Sequence, residues 1–227
     1  MKTSFDLFLE SGHLFAGIGG KTALVDTGGP TSFGDIGSIE VCEKTHSIES
    51  QFMGMSPQDL SQYLGAEIDM LLGADLLSSH LVTIDLASGF LQFELSGSRE
   101  ISGEVVAVQD IMGIPIIRIE VAQQERSVFF DTGASTSYLD SSITDGWERV
   151  GVVEDFYPGF GAFTTETYRL DYKLGQFQSE EKFGNLPDVL GLLVQMDREV
   201  VGILGNAFIQ KGVVTLDTQA GKMGFIE

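Results

Sequence analysis

The chain repeats itself once, and this internal similarity constrains its fold more than any other feature of the sequence. The first shared block is an apolar strand that runs into Asp-Thr-Gly, as TALVDTGGPTSF at residues 22–33 and as SVFFDTGASTSY at residues 127–138. The second shared block aligns residues 71–93 with residues 203–225 without a gap. Because two separate blocks match in the same order, the sequence predicts a duplicated unit.

The two copies differ in the spacing of their blocks. The Asp-Thr-Gly motifs are 105 positions apart and equivalent residues of the second block are 132 apart, so the second copy has 27 more residues between its blocks (132 − 105). A polar stretch with glycine and serine at residues 96–104 separates the copies, as a linker would. We therefore expect an N-terminal lobe at residues 1–99 with the first motif and a C-terminal lobe at residues 100–227 with the second.

Short β-forming runs between glycine-rich turns dominate the sequence and predict a mainly β fold. Brief helices are expected after Ser56, where Pro57 and Asp59 give the pattern of a helix N-terminus, and at residues 73–80 and 205–211. The predicted strands lie at residues 5–9, 14–18, 22–25, 81–86, 114–121, 127–130 and 213–216.

The duplicated aspartates, Asp26 and Asp131, suggest a chemistry for the repeated unit. Each follows an apolar strand that carries it to the edge of the core, and the nearby glycine allows a tight turn that points the carboxylate outward. Two such units facing each other across a twofold axis would bring the carboxylates together. Like charges a few Å apart do not both ionise readily, so one carboxyl acts as a base while the other holds a proton. Such a pair can activate water without a metal or a covalent intermediate.

The motifs resemble those of a known family. DTGGPTS at residues 26–32 and DTGASTSYL at residues 131–139 resemble the active-site motifs of pepsin-like and retropepsin-like aspartic peptidases, and LLGADLL and ILGNAFI resemble their later hydrophobic-Gly element. The resemblance implies a bilobal acid-protease fold, in which two pseudo-twofold-related, β-barrel-like lobes carry short helices. It also implies that Asp26 and Asp131 are the catalytic residues, which bind and activate the attacking water.

The resemblance also implies that the residues after each aspartate support the catalytic pair. In the family, the threonines of the two motifs form crossed hydrogen bonds between the lobes, and we carry this role to Thr27 and Thr132. The next residues, Gly28 and Gly133, are expected to support the active site within the two catalytic turns.

The fourth position of each motif departs from the pepsin-like pattern. Many pepsin-like members have a serine or threonine there, whose hydroxyl supports the carboxylate, whereas this chain has Gly29 and Ala134. Alanine at this position resembles the retropepsins, which are active. Glycine followed by Pro30 is less usual, and it leaves open whether the first catalytic turn is loosened or reshaped.

The resemblance also places a substrate-covering hairpin, or flap, between the two shared blocks of a lobe. The extra residues of the second copy fall there, and residues 154–168 combine a Pro-Gly turn with flanking aromatic residues. We expect this hairpin to be the flap, with Tyr157 and Phe160 near the substrate; the alternative is an ordinary surface hairpin whose aromatic residues pack on their own lobe. The first-copy segment at residues 34–50 is short, and we expect no working flap there.

Composition excludes several classes of partner. Thirteen basic against 33 acidic residues give a net charge of −20, which argues against nucleic acids and anionic membrane surfaces. The three histidines are scattered, so neither a metal site nor a cofactor is expected. The single cysteine, Cys42, excludes an intrachain disulfide, and no signal peptide is visible at the N-terminus. These features favour the cytoplasm, although the sequence does not fix a location.

The sequence therefore predicts an aspartic endopeptidase that hydrolyses a peptide or protein substrate with water activated between Asp26 and Asp131. Since both aspartates lie in one chain, a monomer is expected, and a dimer stays open. The alternative is a catalytically inactive peptide-binding or regulatory homologue on the same fold, suggested by Gly29-Pro30 and by the shorter first copy. A third possibility is a highly selective processing peptidase.

Overall fold

The computed structural model describes residues 1–157, 161–187 and 200–227, and these residues form a mainly β structure, as the sequence predicts. We call residues 1–99 the first half and residues 100–227 the second half. The strands of the first half are β1 (Lys2–Glu10), β2 (His13–Ile18), β3 (Lys21–Val25), β4 (Phe33–Gly34), β5 (Ser38–Val41), β6 (Lys44–Ser47), β7 (Met70–Leu72), β8 (His80–Asp85) and β9 (Phe90–Leu95).

The second half is also built mainly from strands. Each run predicted to be a strand, in either half, overlaps one that is observed. The strands of the second half are β10 (Glu104–Ala107), β11 (Gln109–Ile111), β12 (Ile114–Val121), β13 (Gln124–Phe130), β14 (Ser137–Leu139), β15 (Arg149–Tyr157), β16 (Gly161–Leu174), β17 (Phe177–Asn185), β18 (Val200–Leu204), β19 (Val213–Asp217) and β20 (Lys222–Ile226).

The helices are short and lie where the sequence predicts them, with one addition. Helix α1 begins after Ser56, whose side chain accepts a hydrogen bond from the Asp59 amide while Asp59 accepts one from the Ser56 amide. This helix ends at Gly65, which adopts the left-handed conformation with φ 64°. The addition is α3. The described helices are α1 (Pro57–Leu64), α2 (Ala74–Leu77), α3 (Ser141–Thr144) and a 3₁₀ helix (Asn206–Lys211).

Two large sheets contain most of the described strands. The first has the order β10-β20-β19-β8-β9-β1-β2-β3-β7-β4, and the second has the order β11-β12-β13-β18-β14-β17-β16-β15. Strands β10, β19 and β20 belong to the second half but extend the sheet of the first half. The sheet therefore crosses the predicted lobe boundary, and the boundary itself stays a prediction.

The pairing of strands repeats between the halves. Strand β3 pairs in parallel with β7, and β13 pairs in parallel with β18, so each strand that leads into Asp-Thr-Gly lies beside a strand that leads into Leu-Gly. Strands β8 and β19 pair antiparallel with Thr83 opposite Thr215, which are equivalent residues of the two copies. Because equivalent residues face each other there, the pseudo-twofold axis passes between these two strands.

Buried apolar side chains fix the strands that carry the motifs. Val25 and Leu72 of the first half and Phe130 and Leu204 of the second half are all fully buried in one cluster of the described residues. Removing such side chains from water stabilises the fold by about 1.5–3 kcal/mol each. The residues that follow these strand ends are therefore held in place by the core. None of the described helices has the length and apolarity needed to cross a bilayer.

Candidate active site

The structure brings Asp26 and Asp131 together at the ends of two buried strands. The Asp26 amide donates to the Leu72 carbonyl at 3.0 Å, and the Asp131 amide donates to the Leu204 carbonyl at the same distance. These bonds hold each aspartate against the Leu-Gly strand of its own half. The two carboxyl groups are half-buried and hydrogen-bond to one another.

Each catalytic turn curls around its own carboxylate. The amides of Gly28 and Gly29 donate to Asp26 Oδ1 at 2.9 and 2.8 Å. In the second turn, the amides of Gly133 and Ala134 donate to Asp131 Oδ1 at 2.9 and 3.2 Å. Backbone donors of this kind stabilise the ionised form of a carboxyl group.

The glycines of the two motifs make room for the opposite aspartate. A Cβ atom at Gly28 would overlap the carboxyl group of Asp131, and a Cβ atom at Gly133 would overlap that of Asp26. Only a residue without a side chain lets the two turns approach this closely. The reciprocal contact places both carboxyl groups at the boundary between the two motifs.

The threonines join the two turns beneath the carboxyl groups. The Thr27 amide donates to Thr132 Oγ1, and the Thr132 amide donates to Thr27 Oγ1, both at 3.0 Å. Each hydroxyl in turn donates across the interface, from Thr27 to the Phe130 carbonyl at 2.6 Å and from Thr132 to the Val25 carbonyl at 2.7 Å. Both side chains are buried, so these four bonds are shielded from water.

Burial affects the pKa of both carboxyl groups. Burial and the negative charge of Asp26 raise the pKa of Asp131 well above its usual range. Burial also raises the pKa of Asp26, but hydrogen bonds from Gly29, Asp131 and Gly28 oppose this rise. The two groups therefore titrate as a coupled pair that shares one proton.

The turn at Gly29 remains closed despite the following proline. The Gly29 carbonyl accepts a hydrogen bond from the Ala74 amide at 2.7 Å, just as the Ala134 carbonyl accepts one from the Asn206 amide at 2.9 Å. A Cβ atom at Gly29 would lie 2.9 Å from Asp26 Oδ2 and 3.2 Å from Leu71 Cδ2. The first turn is therefore tighter than the second, where alanine fits.

The predicted flap region forms a long hairpin of β15 and β16. The two strands are antiparallel, and Tyr157 at the end of β15 pairs with Gly161 at the start of β16. Phe160 lies outside the described residues. Burial, together with the negative charges of Asp131 and Asp26, raises the pKa of the Tyr157 hydroxyl to about 12. The Tyr157 side chain is thus close enough to the aspartate pair for their negative charges to disfavour ionisation of its hydroxyl.

The hairpin also contacts the first half. Phe156 stacks on Tyr63 of α1, with ring centroids 3.7 Å apart and ring planes 11° apart. Phe156 therefore packs on the other half of the molecule, whereas Phe163 of the same hairpin contacts Tyr138 of its own half, with ring centroids 5.9 Å apart. The aromatic residues of the hairpin thus divide between the two interpretations, and its role as a flap stays a prediction. The stack ties the far end of the hairpin to the side of the molecule that carries Asp26.

The first half has a hairpin of its own, β5 and β6, but it folds back onto its own sheet. Its turn residue Cys42 is buried, the Cys42 amide donates to Thr3 Oγ1 at 2.9 Å, and the Cys42 thiol donates to the Phe93 carbonyl at 3.3 Å. These contacts place the tip of the hairpin against β1 and β9. The structure therefore gives only the hairpin of the second half a described contact with both halves.

Comparison with solved structures identifies the fold. An aspartic proteinase from Irpex lacteus superposes on 99% of this chain and 97% of its own, with a TM-score of 0.53 and 14% sequence identity. The fold is that of the aspartic proteinases. A protease of EIAV, solved with the inhibitor HBY-793, matches 43% of this chain and 86% of its own at 19% identity, but its TM-score of 0.32 is too low to carry an argument. No protein-family model and no curated protein sequence matched the chain.

Within this aspartic-proteinase fold, two contacts between the halves were not predicted from the sequence. His13 Nδ1 lies 3.0 Å from the Gly133 carbonyl, and the Asn206 side chain donates to the Gly12 carbonyl at 2.8 Å and the Thr132 carbonyl at 3.3 Å. The turn after β1 thereby packs against the second catalytic turn. Asn206 belongs to the repeated ILGNAFI segment, which could have indicated it, whereas nothing in the sequence around His13 marks it.

Tyr138 and Asp155, near the second turn, were not predicted from the sequence either. Tyr138 donates a hydrogen bond to Asp155 near the end of β15, and burial next to this carboxylate raises the pKa of the Tyr138 hydroxyl. This bond links the segment behind Asp131 to the hairpin. Among the described residues, no group of three or more His, Cys, Asp or Glu side chains is arranged to hold a metal ion.

Proposed function

We propose that the chain is an aspartic endopeptidase in which Asp26 and Asp131 activate water for attack on a peptide bond. The observation that supports this proposal is the approach of the two carboxyl groups, each of which lies against the glycine of the opposite motif and hydrogen-bonds to the other. A pair that shares one proton can supply both the base and the acid that direct hydrolysis requires. The aspartic-proteinase fold supports the same conclusion.

In the proposed reaction, one carboxyl group takes a proton from the attacking water and the other gives a proton to the substrate. Asp26 takes a proton from the water as its oxygen bonds to the carbonyl carbon, while Asp131 donates its proton to the carbonyl oxygen. The resulting diol collapses when Asp131 recovers a proton from a hydroxyl and Asp26 gives its proton to the leaving nitrogen. The C–N bond then breaks, and both carboxyl groups return to their starting states.

The substrate would be an extended segment of a peptide or protein lying between the aspartate pair and the hairpin of the second half. Tyr157 supports this placement because the negative charges of both aspartates contribute to the raised pKa of its hydroxyl. We assign Tyr157 the role of covering the scissile bond and excluding water from it. Since one chain supplies both aspartates, the proposed active unit is a monomer.

A peptide-library digest tests the proposal across acid to neutral pH. The wild-type protein should cleave a subset of peptides, and Asp26→Asn and Asp131→Asn should each reduce cleavage more than about a thousandfold, because each removes half of an acid–base pair. Circular dichroism should show that both variants keep the β fold. Wild-type rates in both variants would contradict the assignment. Binding of peptides without cleavage by the wild-type protein would instead support the inactive peptide-binding homologue.

A further inference from the structure

A serine lies behind each catalytic turn, six positions after the motif aspartate (32 − 26 and 137 − 131). Ser32 Oγ accepts a hydrogen bond from the Gly73 amide at 2.8 Å, and Ser137 Oγ accepts one from the Gly205 amide at 2.9 Å. Each glycine follows the leucine whose carbonyl holds the amide of the catalytic aspartate. The two serines therefore support the Leu-Gly segments on which the aspartates rest.

In the first half, a carboxylate from the neighbouring helix fixes the serine. The Ser32 hydroxyl donates to Asp75 Oδ1 at 2.6 Å, and the Ser32 amide donates to the same oxygen at 2.9 Å. Asp75 lies in the first turn of α2, two positions after Gly73. Because a serine hydroxyl has one hydrogen, committing it to Asp75 leaves a lone pair of the oxygen free to face the Gly73 amide.

In the second half, the equivalent position has no carboxylate. The residue 132 positions after Asp75 is Ala207, in the 3₁₀ helix. The Ser137 hydroxyl donates instead to Glu181 Oε1. Glu181 lies on β17, which belongs to the same sheet as the hairpin, and it pairs there with Leu170 of β16. The second half thus makes the same contact from an unrelated element.

We infer that Glu181 is the positioning residue of the second catalytic turn and does for Ser137 what Asp75 does for Ser32. The Glu181 carboxylate orients the Ser137 hydroxyl, the hydroxyl holds the Gly205 amide, and the adjoining Leu204 carbonyl holds the amide of Asp131. Because β17 belongs to the same sheet as the hairpin, Glu181 also connects the turn of Asp131 to the hairpin. The activity readout of this inference rests on the proposed peptidase function.

The surroundings of Asp75 and Glu181 differ, because the two carboxylates come from different structural elements. Asp75 is exposed, whereas the side chain of Glu181 is only 7% exposed. Burial raises the pKa of Glu181, while the Ser137 hydroxyl and the Lys211 ammonium, 3.6 Å from Oε2, oppose the rise. Tyr172 of β16 also faces this carboxyl group. A buried carboxylate with these partners has a fixed position, which suits a group that must orient another.

Substitution of Glu181, combined with a rescuing substitution elsewhere in the same chain, tests the inference. Glu181→Ala should lower kcat about tenfold and leave KM within about twofold, because the affected group holds the catalytic turn and not the substrate. Glu181→Gln keeps an oxygen that accepts from Ser137 and should retain most of the activity. The double variant Glu181→Ala with Ala207→Asp restores a carboxylate at the position equivalent to Asp75 and should recover most of the lost kcat.

The rescue is geometrically reasonable because the glycine two positions before residues 75 and 207 has a similar backbone conformation in both halves. Gly73 has φ −97° and ψ −178°, and Gly205 has φ −84° and ψ −172°; Asp75 then lies in an α-helix and Ala207 in a 3₁₀ helix. Glu180→Ala is the matched control, since the Glu180 side chain is exposed and pairs with Arg169 on the surface. This control should keep the wild-type kcat.

Hydrogen exchange of the Gly205 amide gives a readout that does not depend on catalysis. We expect faster exchange at Gly205 in Glu181→Ala, recovery in the double variant, and no change at Gly73 in either. If the wild-type protein cleaves no peptide, the proposed function fails while this measurement still decides the role of Glu181. Unchanged protection of Gly205 in Glu181→Ala, or a loss of kcat that the double variant does not recover, would overturn the inference.

Discussion

The two catalytic turns share their backbone contacts and differ in the side chains that surround them. In both turns the aspartate amide is held by a leucine carbonyl at 3.0 Å, and two turn amides donate to the carboxylate. The first turn is tight around Gly29 and is supported by the exposed Asp75. The second turn accommodates Ala134 and is supported by the buried Glu181.

This comparison teaches which parts of a duplicated site must stay symmetric. The contacts on the pseudo-twofold axis involve both halves at once, so a change in one half would leave a buried group of the other without a partner. Asp75 and Glu181 each contact a serine of their own half, so these two positions are free to diverge. Asp26 and Asp131 therefore share the same backbone contacts but lie beside different residues at the fourth motif position.

The threonine contacts, which are equivalent in the two halves, can be tested by replacing each threonine in turn. Thr27→Val keeps the shape of the side chain but leaves the Thr132 amide without its acceptor and the Phe130 carbonyl without its donor. We expect a loss of about 2–4 kcal/mol in the free energy of unfolding, measured by urea denaturation. Thr132→Val should cost about the same, because its bonds are equivalent. Costs that differ by more than about 1 kcal/mol would contradict the symmetry of this contact.

The asymmetric part can be tested by exchanging the residues at the fourth motif position. Gly29→Ala adds a Cβ atom 2.9 Å from Asp26 Oδ2, so the carboxylate must move, and kcat should fall about tenfold or more. Ala134→Gly removes a methyl group from a turn that already has room and should change kcat by less than about threefold. Peptide hydrolysis by the two variants gives the comparison. Equal losses would show that the first turn is not the tighter one.

The role of the hairpin can be measured through its stack with the first half. Tyr63→Ala and Phe156→Ala each remove one ring of the pair and should lower kcat/KM about fivefold, by releasing the hairpin from α1. A double-mutant cycle should give a coupling energy of about 1 kcal/mol, since the two rings act as a unit. Fully additive effects would mean that the stack does not hold the hairpin.

Acid stability offers the mildest difference between the halves. His46 and His80 of the first half have ring centroids 5.0 Å apart, and burial lowers the pKa of both, aided by the positive charge of Lys44. The unfolded chain therefore binds protons more readily, and stability is lost as pH falls below about 6.5.

We expect the melting temperature to drop by roughly 2–4 °C between pH 7 and pH 5. The drop should be smaller in His46→Gln, which keeps a polar side chain but cannot take up a proton in this range. A melting temperature that stays level in the wild-type protein over this interval would exclude a contribution from the histidine pair.

The sequence predicted the features that the duplication repeats and those with a strong local pattern. Asp26, Asp131 and the strands before them follow from the matching blocks, and the helix after Ser56 follows from its N-terminal residues. The replacement of Asp75 by Glu181 could not be predicted, because the aligned position reads Ala207 and the partner lies on a strand outside both blocks. The contact of His13 with Gly133 joins residues 120 positions apart, and only the folded chain brings them together.

The addition of second-half strands to the sheet of the first half was equally hidden from the sequence. Strands β19 and β20 belong to the second copy by alignment, yet β19 pairs with β8 of the first half. Their short apolar runs indicate strands but say nothing about which sheet they join. Register and sheet membership depend on packing of the complete chain, which periodicity does not encode.

The central claim, that one buried pair contains a carboxylate and a protonated acid, is tested most directly by titrating the two side chains. Carboxyl carbon shifts of labelled aspartate, assigned with Asp131→Asn, should show Asp131 keeping its proton far above the ordinary pKa of about 3.9. In Asp26→Asn this rise should shrink, because the neighbouring negative charge is gone. Titration of both carboxyl groups near their ordinary values, each unaffected by loss of the other, would contradict the account.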